Sequence, residues 1–417
     1  MEPAVDRLRR TLRSLGEPRL APAEEPVQKR PPELGRLADL AGGEIVVEAE
    51  RTGYLAVRHV YPVEHRHGHA PLSLALEARP ETLGLLARDA RLDSMDPSSA
   101  VYFDTETTGL GTATGTLVFL VGVGRFVTGG FEVTQYFLPG PDGEKAFLGG
   151  VREGLGETFL VSYNGKCFDA PLLQTRYLLQ RERLALTRWP HLDLLRAARG
   201  LYRARVPDCR LGTIERMVLG VEREEADVPG FLIPGIYFDY LRSGAVEELA
   251  RVFYHNLLDV LSLAGLGGAA AATMEGRLAS PPASDLSGAG RLLELAGRDA
   301  EAEASYRRAL LTARGEERAA MLRRLGFLLK RQREHVRAAE VWNALVESGT
   351  DRDGVAHTEL AKHLEHRIRD YTEALAVVEM ALQSGAHRAP GMRAALEHRK
   401  ARLLAKQASR LTGPRPD

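Results

Sequence analysis

The pattern of apolar and polar positions divides the chain into four parts. Residues 1–40 are rich in proline and charge, which predicts a short amphipathic helix and a flexible lead-in. Residues 41–99 begin with "GEIVVEAERTGYLAVRHVY", whose two β-rich runs around Arg51–Gly53 predict a hairpin packed on the next domain. Residues 100–278 alternate between strand-like and helix-like runs, and residues 286–410 carry apolar residues at helical spacing.

The third part predicts a layered α/β domain. The runs "AVYFD", "TLVFLVGVGRF" and "FEVTQYFL" predict three successive strands, and "TFLVSYN" predicts another. Helical patterns alternate with the later strands, and "VEELARVFYHNLLDVLSLAGLGGAAAATMEGRL" predicts a long closing helix. Successive strands followed by alternation indicate a mixed sheet. Residues 281–290, "PPASDLSGAG", have the composition of a linker to the all-α region.

Three classes of residue recur every 36 positions in the last part. They are the small residues Ala302, Ala338 and Ala374, the bulky residues Tyr306, Trp342 and Val378, and the apolar residues Leu310, Val346 and Leu382. This spacing predicts the second helix of a helix-turn-helix repeat, close to the roughly 34 residues of a tetratricopeptide repeat. Three unrelated amphipathic helices are the alternative.

Charge and cysteine content limit the possible partners and compartment. Lys and Arg together number 56, as do Asp and Glu, so a surface for a polyanion must be local. The 2 cysteines exclude a disulfide scaffold and favour the cytoplasm. No apolar run is expected to reach membrane-spanning length, and the first residues lack a signal-peptide core, so no membrane partner is expected.

Positive charge is concentrated between Gln174 and Arg216. This stretch has ten arginines and four acids. The excess predicts a face that follows phosphates, and solvated helix arginines are the alternative.

Acids at the ends of predicted strands supply the candidate chemistry. Asp104 and Glu106, in "FDTETTGLG", face the same side of a strand because they are two residues apart. Two convergent carboxylates form half of a site for a hard divalent cation. Asp169 follows another strand where a helix begins, although there it could also be a helix cap. Asp259 lies in the long helix, on the same face as His255, and a structural His–Asp pair is the alternative.

The motifs "FDTETTG", "NGKCFD" and "HNLLD" resemble the three exonuclease motifs of the DEDD superfamily, whose members have an RNase H-like fold. Asp104 and Glu106 match the first motif, Asp169 the second and Asp259 the third. The resemblance covers about residues 100–270. The combination of these motifs with tetratricopeptide repeats makes the chain similar to the YprB-like group, which includes mitomycin repair factor B.

The resemblance implies a metal-dependent 3′–5′ exonuclease in which the four acids hold two Mg²⁺ or Mn²⁺ ions. It implies a nucleic-acid substrate and a repair helicase bound through the repeats. Single-stranded or 3′-end DNA is favoured, and RNA is the alternative substrate. It also places Thr107, Leu110 and Asn164 beside the substrate, although Leu110 could be ordinary loop packing. A catalytically inactive scaffold whose repeats act as a protein-interaction adaptor is the alternative function.

The general base is assigned by helix geometry, because the spacing departs from both common subclasses. His255 is four residues before Asp259, so the two side chains point in nearly the same direction from the helix. Tyr254 is five residues before Asp259 and points away from it. Imidazole is also the better base at neutral pH. We therefore predict that His255 is the base and that Tyr254 packs or contacts substrate.

Three further groups leave alternatives open. His65, His67 and His69 could bind a metal, but a structural or phosphate-facing role is favoured. Asp193 follows a strand and is predicted to cap a helix or support the site from behind. The aromatic residues Phe231, Tyr237 and Phe238 could stack on unpaired bases or pack as a lid.

Overall fold

The computed structural model describes residues 34–49, 52–109, 115–223, 227–386 and 388–411. A mixed seven-stranded sheet with helices is followed by an all-helical region, which confirms the predicted fold class. The strands are β1 (Gly43–Ala49), β2 (Thr52–Tyr61), β3 (Arg66–His67), β4 (Ala70–Pro71), β5 (Val101–Thr107), β6 (Val118–Val127), β7 (Gly130–Phe137), β8 (Leu160–Ser162) and β9 (His191–Asp193).

The sheet has the strand order β1-β2-β7-β6-β5-β8-β9, and β3 pairs with β4 separately. β5 runs antiparallel to β6 and parallel to β8, which is itself parallel to β9. β2 pairs with β7, so the predicted hairpin extends the sheet instead of only packing against it. Because β5, β8 and β9 are parallel, their carboxyl ends meet at one edge, where ligands of α/β sheets usually bind.

Nine helices accompany the sheet in the part of the chain that the structure describes. They are Leu34–Ala41, Ser73–Leu76, Pro80–Ala87, Glu144–Leu155, Asp169–Leu179, Leu194–Leu201, Leu211–Ile214, Ile233–Ser243 and Glu247–Met274. The first of them corrects the predicted flexible lead-in 1–40, because residues 34–41 are helical and Leu37 is fully buried. Residues 1–33 lie outside the described part.

The long helix Glu247–Met274 packs against one face of the sheet, and two glycines of β6 make the close approach possible. A Cβ on Gly122 would lie 2.3 Å from Oδ1 of Asn256, and one on Gly124 would lie 2.7 Å from Val260. This helix is long and apolar enough to cross a membrane, which corrects the expectation that no run reaches that length. It is almost entirely buried, as the core helix of a globular protein is.

The C-terminal region consists of helical hairpins and a final helix. Its helices are Ala283–Leu295, Asp299–Thr312, Gly315–Arg331, His335–Glu347, Val355–His363, Tyr371–Gln383 and Met392–Leu411. Ala302, Ala338 and Ala374 lie on the second helix of successive hairpins, and all three are buried. The 36-residue spacing therefore places equivalent small residues at equivalent helix contacts.

The prediction that residues 281–290 form a linker is wrong, because the helix Ala283–Leu295 includes most of these residues. Its small residues serve packing instead of flexibility. A Cβ on Gly288 would lie 2.4 Å from the carbonyl oxygen of Leu201, so only glycine lets the two helices touch here. Arg205 and the buried Asp285 form a salt bridge of 3.0 Å across the same contact. The helical region is thus docked on the sheet domain.

This docking predicts opposite effects of two glycine substitutions. We expect Gly288→Ala to lower the free energy of unfolding by about 1–3 kcal/mol, because the new methyl group meets backbone. Gly149→Ala is the matched control, since that helical position has open space around it. It should raise stability by about 0.5–1 kcal/mol. Urea denaturation of both variants measures the difference, and equal effects would contradict the docking contact.

Candidate active site

β5 presents its two acids to the long helix. Tyr102, Asp104 and Glu106 alternate with Val101, Phe103 and Thr105 along the strand, so the two sets face opposite sides of the sheet. Tyr102 belongs to the same core cluster as Val260 of the long helix. Asp104 and Glu106 therefore face the helix that carries Asp259, as their spacing predicts.

Asp169 reaches the same strand end from the other face. Its helix, Asp169–Leu179, begins at this residue, and the residue before it is the N-cap. The side chain of Asp169 accepts a short hydrogen bond from the hydroxyl of Thr105. Asp169 therefore lies beside β5 and is not the N-cap of its own helix.

His255 and Asp259 come from one face of the helix, which begins at Glu247, well before both of them. Nε2 of His255 lies 3.4 Å from Asp259 Oδ2 and 3.8 Å from Glu106 Oε1. Ligand atoms of these three residues all lie within 4.8 Å of one another, a grouping that could hold a metal ion. Tyr254 instead lies near Tyr61, where it adds to the effect of burial in raising the pKa of that phenol.

A buried amide network fixes Asp104. Nδ2 of Asn256 donates to Asp104 Oδ2 at 2.9 Å. Nε2 of Gln135 donates to Oδ1 of Asn256 at 2.9 Å, which leaves the amide nitrogen of Asn256 facing the acid. Gly122 is paired with Asp104 across the strands and provides the space for Asn256. β6 and β7 thus orient a carboxylate of β5 through a residue of the long helix.

The acids repel one another strongly. Burial, followed by the charges of Asp259, Glu106 and Asp169, raises the pKa of Asp104 well above its ordinary value. Burial and the same kind of repulsion raise the pKa of Glu106. Burial raises the pKa of Asp169 to about 6, although the hydrogen bond from Thr105 opposes the shift. Such a cluster is stable in its charged form only beside cations.

Arg223 is one such cation, and it is anchored from behind. Its Nε and Nη2 donate to the two oxygens of the buried Glu215, at 2.8 and 2.6 Å. Nη2 also donates to Asp259 in a short contact. Burial lowers the pKa of Arg223, but Asp259 and Glu215 outweigh it and the net pKa is raised. Arg223 therefore stays charged and holds Asp259 in place.

Asp227 orients the imidazole of His255. Its Oδ1 lies 2.7 Å from Nδ1 of His255. Nη1 of Arg223 also lies 3.0 Å from Nδ1 but can donate to Oδ2 of Asp227 at 3.3 Å instead, so we assign the proton of Nδ1 to the contact with Asp227. Nε2 is then left with a free lone pair directed at Glu106 and Asp259. This arrangement suits either a proton acceptor or a metal ligand.

His67 and His69 of "HRHGH" make structural contacts, and the ring of His65 lies 4.7 Å from that of Tyr61. Nε2 of His67 donates to Ser262 Oγ at 2.7 Å, and Ser262 donates to Glu215 Oε1 at 2.5 Å. Burial lowers the pKa of His67 to about 4, so it is neutral at pH 7. His69 packs against Gly220, and its backbone N–H donates to Leu219 at 2.6 Å. The structural alternative is favoured over a metal site.

The predicted substrate residues lie in different surroundings. Thr107 ends β5, and its hydroxyl donates to the carbonyl of Gly109 at 2.7 Å. Asn164 has a positive φ of 66°, and its backbone N–H donates to Asp193 at 2.8 Å. Asp193 also caps the next helix, as predicted. Leu110 lies outside the described residues.

The three aromatic residues considered for base stacking or lid packing differ in burial. Tyr237 is buried and stacks on Phe119 at 4.1 Å, which is core packing. Phe231 and Phe238 are exposed.

Sequence analysis missed Asn256, Gln135, Asp227, Arg223 and Glu215. Two signals were available. Gln135 is the polar residue among the otherwise apolar buried positions of β7, and Asn256 follows the histidine directly in "HNLLD". Asp227 and Arg223 lie in an irregular segment, whose pattern does not say where their side chains point.

Comparisons with known proteins agree with this geometry. Residues 101–270 match the RNase_H_2 family of the RNase_H superfamily. The chain is also similar to YprB of Bacillus subtilis (strain 168), a protein described as uncharacterized. The two are 32% identical over 364 residues, which cover 85% of this chain and 87% of that protein. The RNase H-like fold usually binds divalent metals and indicates a hydrolase that acts on nucleic acid.

Proposed function

We propose a function from one premise: this chain belongs to the protein family of YprB, and its residues 101–270 form a domain of the RNase H superfamily. We infer that it is a 3′–5′ exonuclease of the DEDD type that hydrolyses phosphodiester bonds of nucleic acid. The observation that carries the proposal is the convergence of four acids, from three separate motifs, at one end of β5.

The donor set fits hard divalent cations. Asp104, Glu106, Asp169 and Asp259 offer carboxylate oxygens, which Mg²⁺ and Mn²⁺ prefer, and their mutual repulsion leaves charge for cations to neutralise. We propose that these acids hold two such ions. Bound there, the ions supply an activated water and stabilisation of the leaving oxygen.

The chain's own residues have distinct roles in this proposal. His255 accepts the proton of the attacking water at Nε2, while Asp227 holds the ring through Nδ1. Asn256 keeps Asp104 directed at the site, and Arg223 does the same for Asp259. Thr107 and Asn164 are proposed to lie beside the terminal nucleotide.

The finer assignments rest on the resemblance. DNA is the proposed substrate, as a single strand or a 3′ end, in cytoplasmic repair. The helical hairpins are proposed to be tetratricopeptide-like repeats that bind a partner such as a repair helicase. Their 36-residue spacing supports this assignment.

The competing function is an inactive scaffold. All four acids, a candidate base and a carboxylate that orients it favour the enzyme, because a scaffold has no need to bury repelling charges. A substrate comparison tests the choice. Labelled single-stranded DNA, duplex DNA and RNA are incubated with Mg²⁺, Mn²⁺ or EDTA. Degradation of DNA only with metal supports the proposal, and no degradation of any substrate supports the scaffold.

The raised pKa of Asp169 predicts a pH-dependent response to metal. A carboxyl whose folded pKa is raised to about 6 stabilises the fold when protonated, and this contribution is lost as pH rises through about 6. A bound cation removes that penalty. We therefore expect Mn²⁺ to raise Tm more at pH 7.5 than at pH 5.5. At pH 7.5, Mn²⁺ at a hundredfold excess over its Kd at that pH should raise the free energy of unfolding by about 2.7 kcal/mol. A larger gain at pH 5.5 would contradict the cluster.

A further inference from the structure

Three arginines converge on an open cavity beside the candidate active site. The cavity has a volume of about 790 Å³, which is in the range of ligand-binding clefts. Its charged lining residues are Arg199, Arg203 and Arg210, with Asp208 as the one acid among the described lining residues. Asp208 accepts a hydrogen bond of 3.0 Å from the backbone N–H of Arg210, so it is turned toward its own loop. The cavity therefore has a net positive charge.

The structure separates these residues from other arginines of the same stretch. Arg176 is paired with the buried Glu144 at 2.5 Å, and Arg205 is paired with the buried Asp285 at 3.0 Å. Those two stabilise the fold. Among the described residues, no carboxylate forms a salt bridge with the cavity arginines, and all three are exposed. Apart from a hydrogen bond of 2.9 Å from Nη1 of Arg203 to the carbonyl of Pro207, their guanidinium groups are available for an anion.

Two lining residues place the cavity at the edge of the sheet that carries the acids. Tyr163 and Asn164 line it, and they follow β8 directly, in the loop that leads to Asp169. β8 is parallel to β5, so this loop and the carboxyl end of β5 lie at the same edge. The phenol of Tyr163 donates to the carbonyl of Cys209 at 2.6 Å, which fixes the ring at the cavity wall.

Resting on the proposed nuclease function, we propose that this cavity binds the phosphate backbone of a single-stranded nucleic-acid substrate. Arg199, Arg203 and Arg210 contact its phosphates, for which the planar guanidinium is well suited. The ring of Tyr163 stacks on a base, as aromatic residues do in grooves that bind single strands.

A matched pair of triple variants tests the proposal. The cavity variant carries Arg199→Gln, Arg203→Gln and Arg210→Gln. The control carries Arg181→Gln, Arg183→Gln and Arg188→Gln, three exposed arginines of the same stretch that do not line the cavity. Both variants lose the same charge. Thermal unfolding confirms that each is folded before it is used.

Binding is measured without hydrolysis, by anisotropy of a labelled oligonucleotide of about 20 nucleotides in EDTA over a range of KCl concentrations. Each phosphate contact contributes about 0.7 to the slope of log K against log salt. We expect the cavity variant to lose about 2 from the slope and to bind roughly tenfold or more weakly, whereas the control changes the slope by less than about 1. DNA and RNA oligonucleotides, compared side by side, identify the preferred strand.

Equal losses in both variants, or no loss in the cavity variant, would overturn the proposal. Loss of binding to a polyglutamate peptide without loss of oligonucleotide binding would also overturn it, in favour of an acidic protein partner. The outcome is separable from the proposed function. If the salt slopes of the two variants differ but the wild-type chain degrades no substrate, the nuclease proposal fails and the cavity proposal stands. If the wild-type chain degrades substrate but the slopes are unchanged, the cavity proposal fails and the nuclease proposal stands.

Discussion

Asp104→Asn is expected to abolish phosphodiester hydrolysis while leaving the fold intact. The substitution keeps the shape of the side chain but removes one of four carboxylates, so cation binding at the end of β5 is lost. We expect the rate to fall at least about 10³-fold, which corresponds to about 4 kcal/mol of transition-state stabilisation. Steady-state hydrolysis of single-stranded DNA in Mn²⁺ measures the loss.

The same variant should be more stable than the wild type without metal. Burial and the neighbouring acids raise the pKa of Asp104, so its ionisation at pH 7.5 costs stability that asparagine avoids. The amide can still accept from Asn256. The expected result is a higher metal-free Tm and a smaller gain on adding Mn²⁺. Wild-type activity, or a lower metal-free Tm with an unchanged Mn²⁺ gain, would contradict the carboxylate cluster.

His255→Ala is expected to lower the single-turnover rate roughly 10²–10⁴-fold, because the attacking water loses its proton acceptor. Affinity for Mn²⁺ should change much less than the rate. Calorimetric titration of Mn²⁺ separates a base from a metal ligand.

Tyr254→Phe is the matched control. The phenol lies near Tyr61, and the ring still packs without its hydroxyl, so we expect a mild effect. Single-turnover rates from about pH 5.5 to 9 compare the two variants. A large loss of rate in Tyr254→Phe would instead identify Tyr254 as the general base. A loss of Mn²⁺ affinity in His255→Ala as large as the loss of rate would make His255 a ligand.

Local patterns predict a large part of this molecule. Strand alternation places Asp104 and Glu106 on one side of β5, and helix periodicity places His255 along Asp259. Both arrangements depend only on residues within five positions of each other. The mixed sheet and the helical hairpins follow from the same kind of pattern.

Contacts between distant parts of the chain could not be predicted in this way. Gln135 and Asn256 are 121 residues apart in the chain, and Asn256 and Asp104 are 152 residues apart. The side chains of Arg223 and Asp227 are directed by Glu215 and His255, and no periodicity encodes that direction. The supposed linker failed for a related reason: Gly288 is small because Leu201 touches it, and composition alone resembles a flexible segment.

The polarity of degradation of one labelled strand tests the central claim most directly. A single-stranded DNA labelled at its 5′ end is incubated with the full chain in Mn²⁺ and, in parallel, in EDTA. The account predicts a ladder of labelled products that shortens stepwise from the 3′ end with time, and an intact strand in EDTA. Immediate release of the label as a mononucleotide, cleavage at internal positions, or the same ladder in EDTA would contradict a metal-dependent 3′–5′ exonuclease.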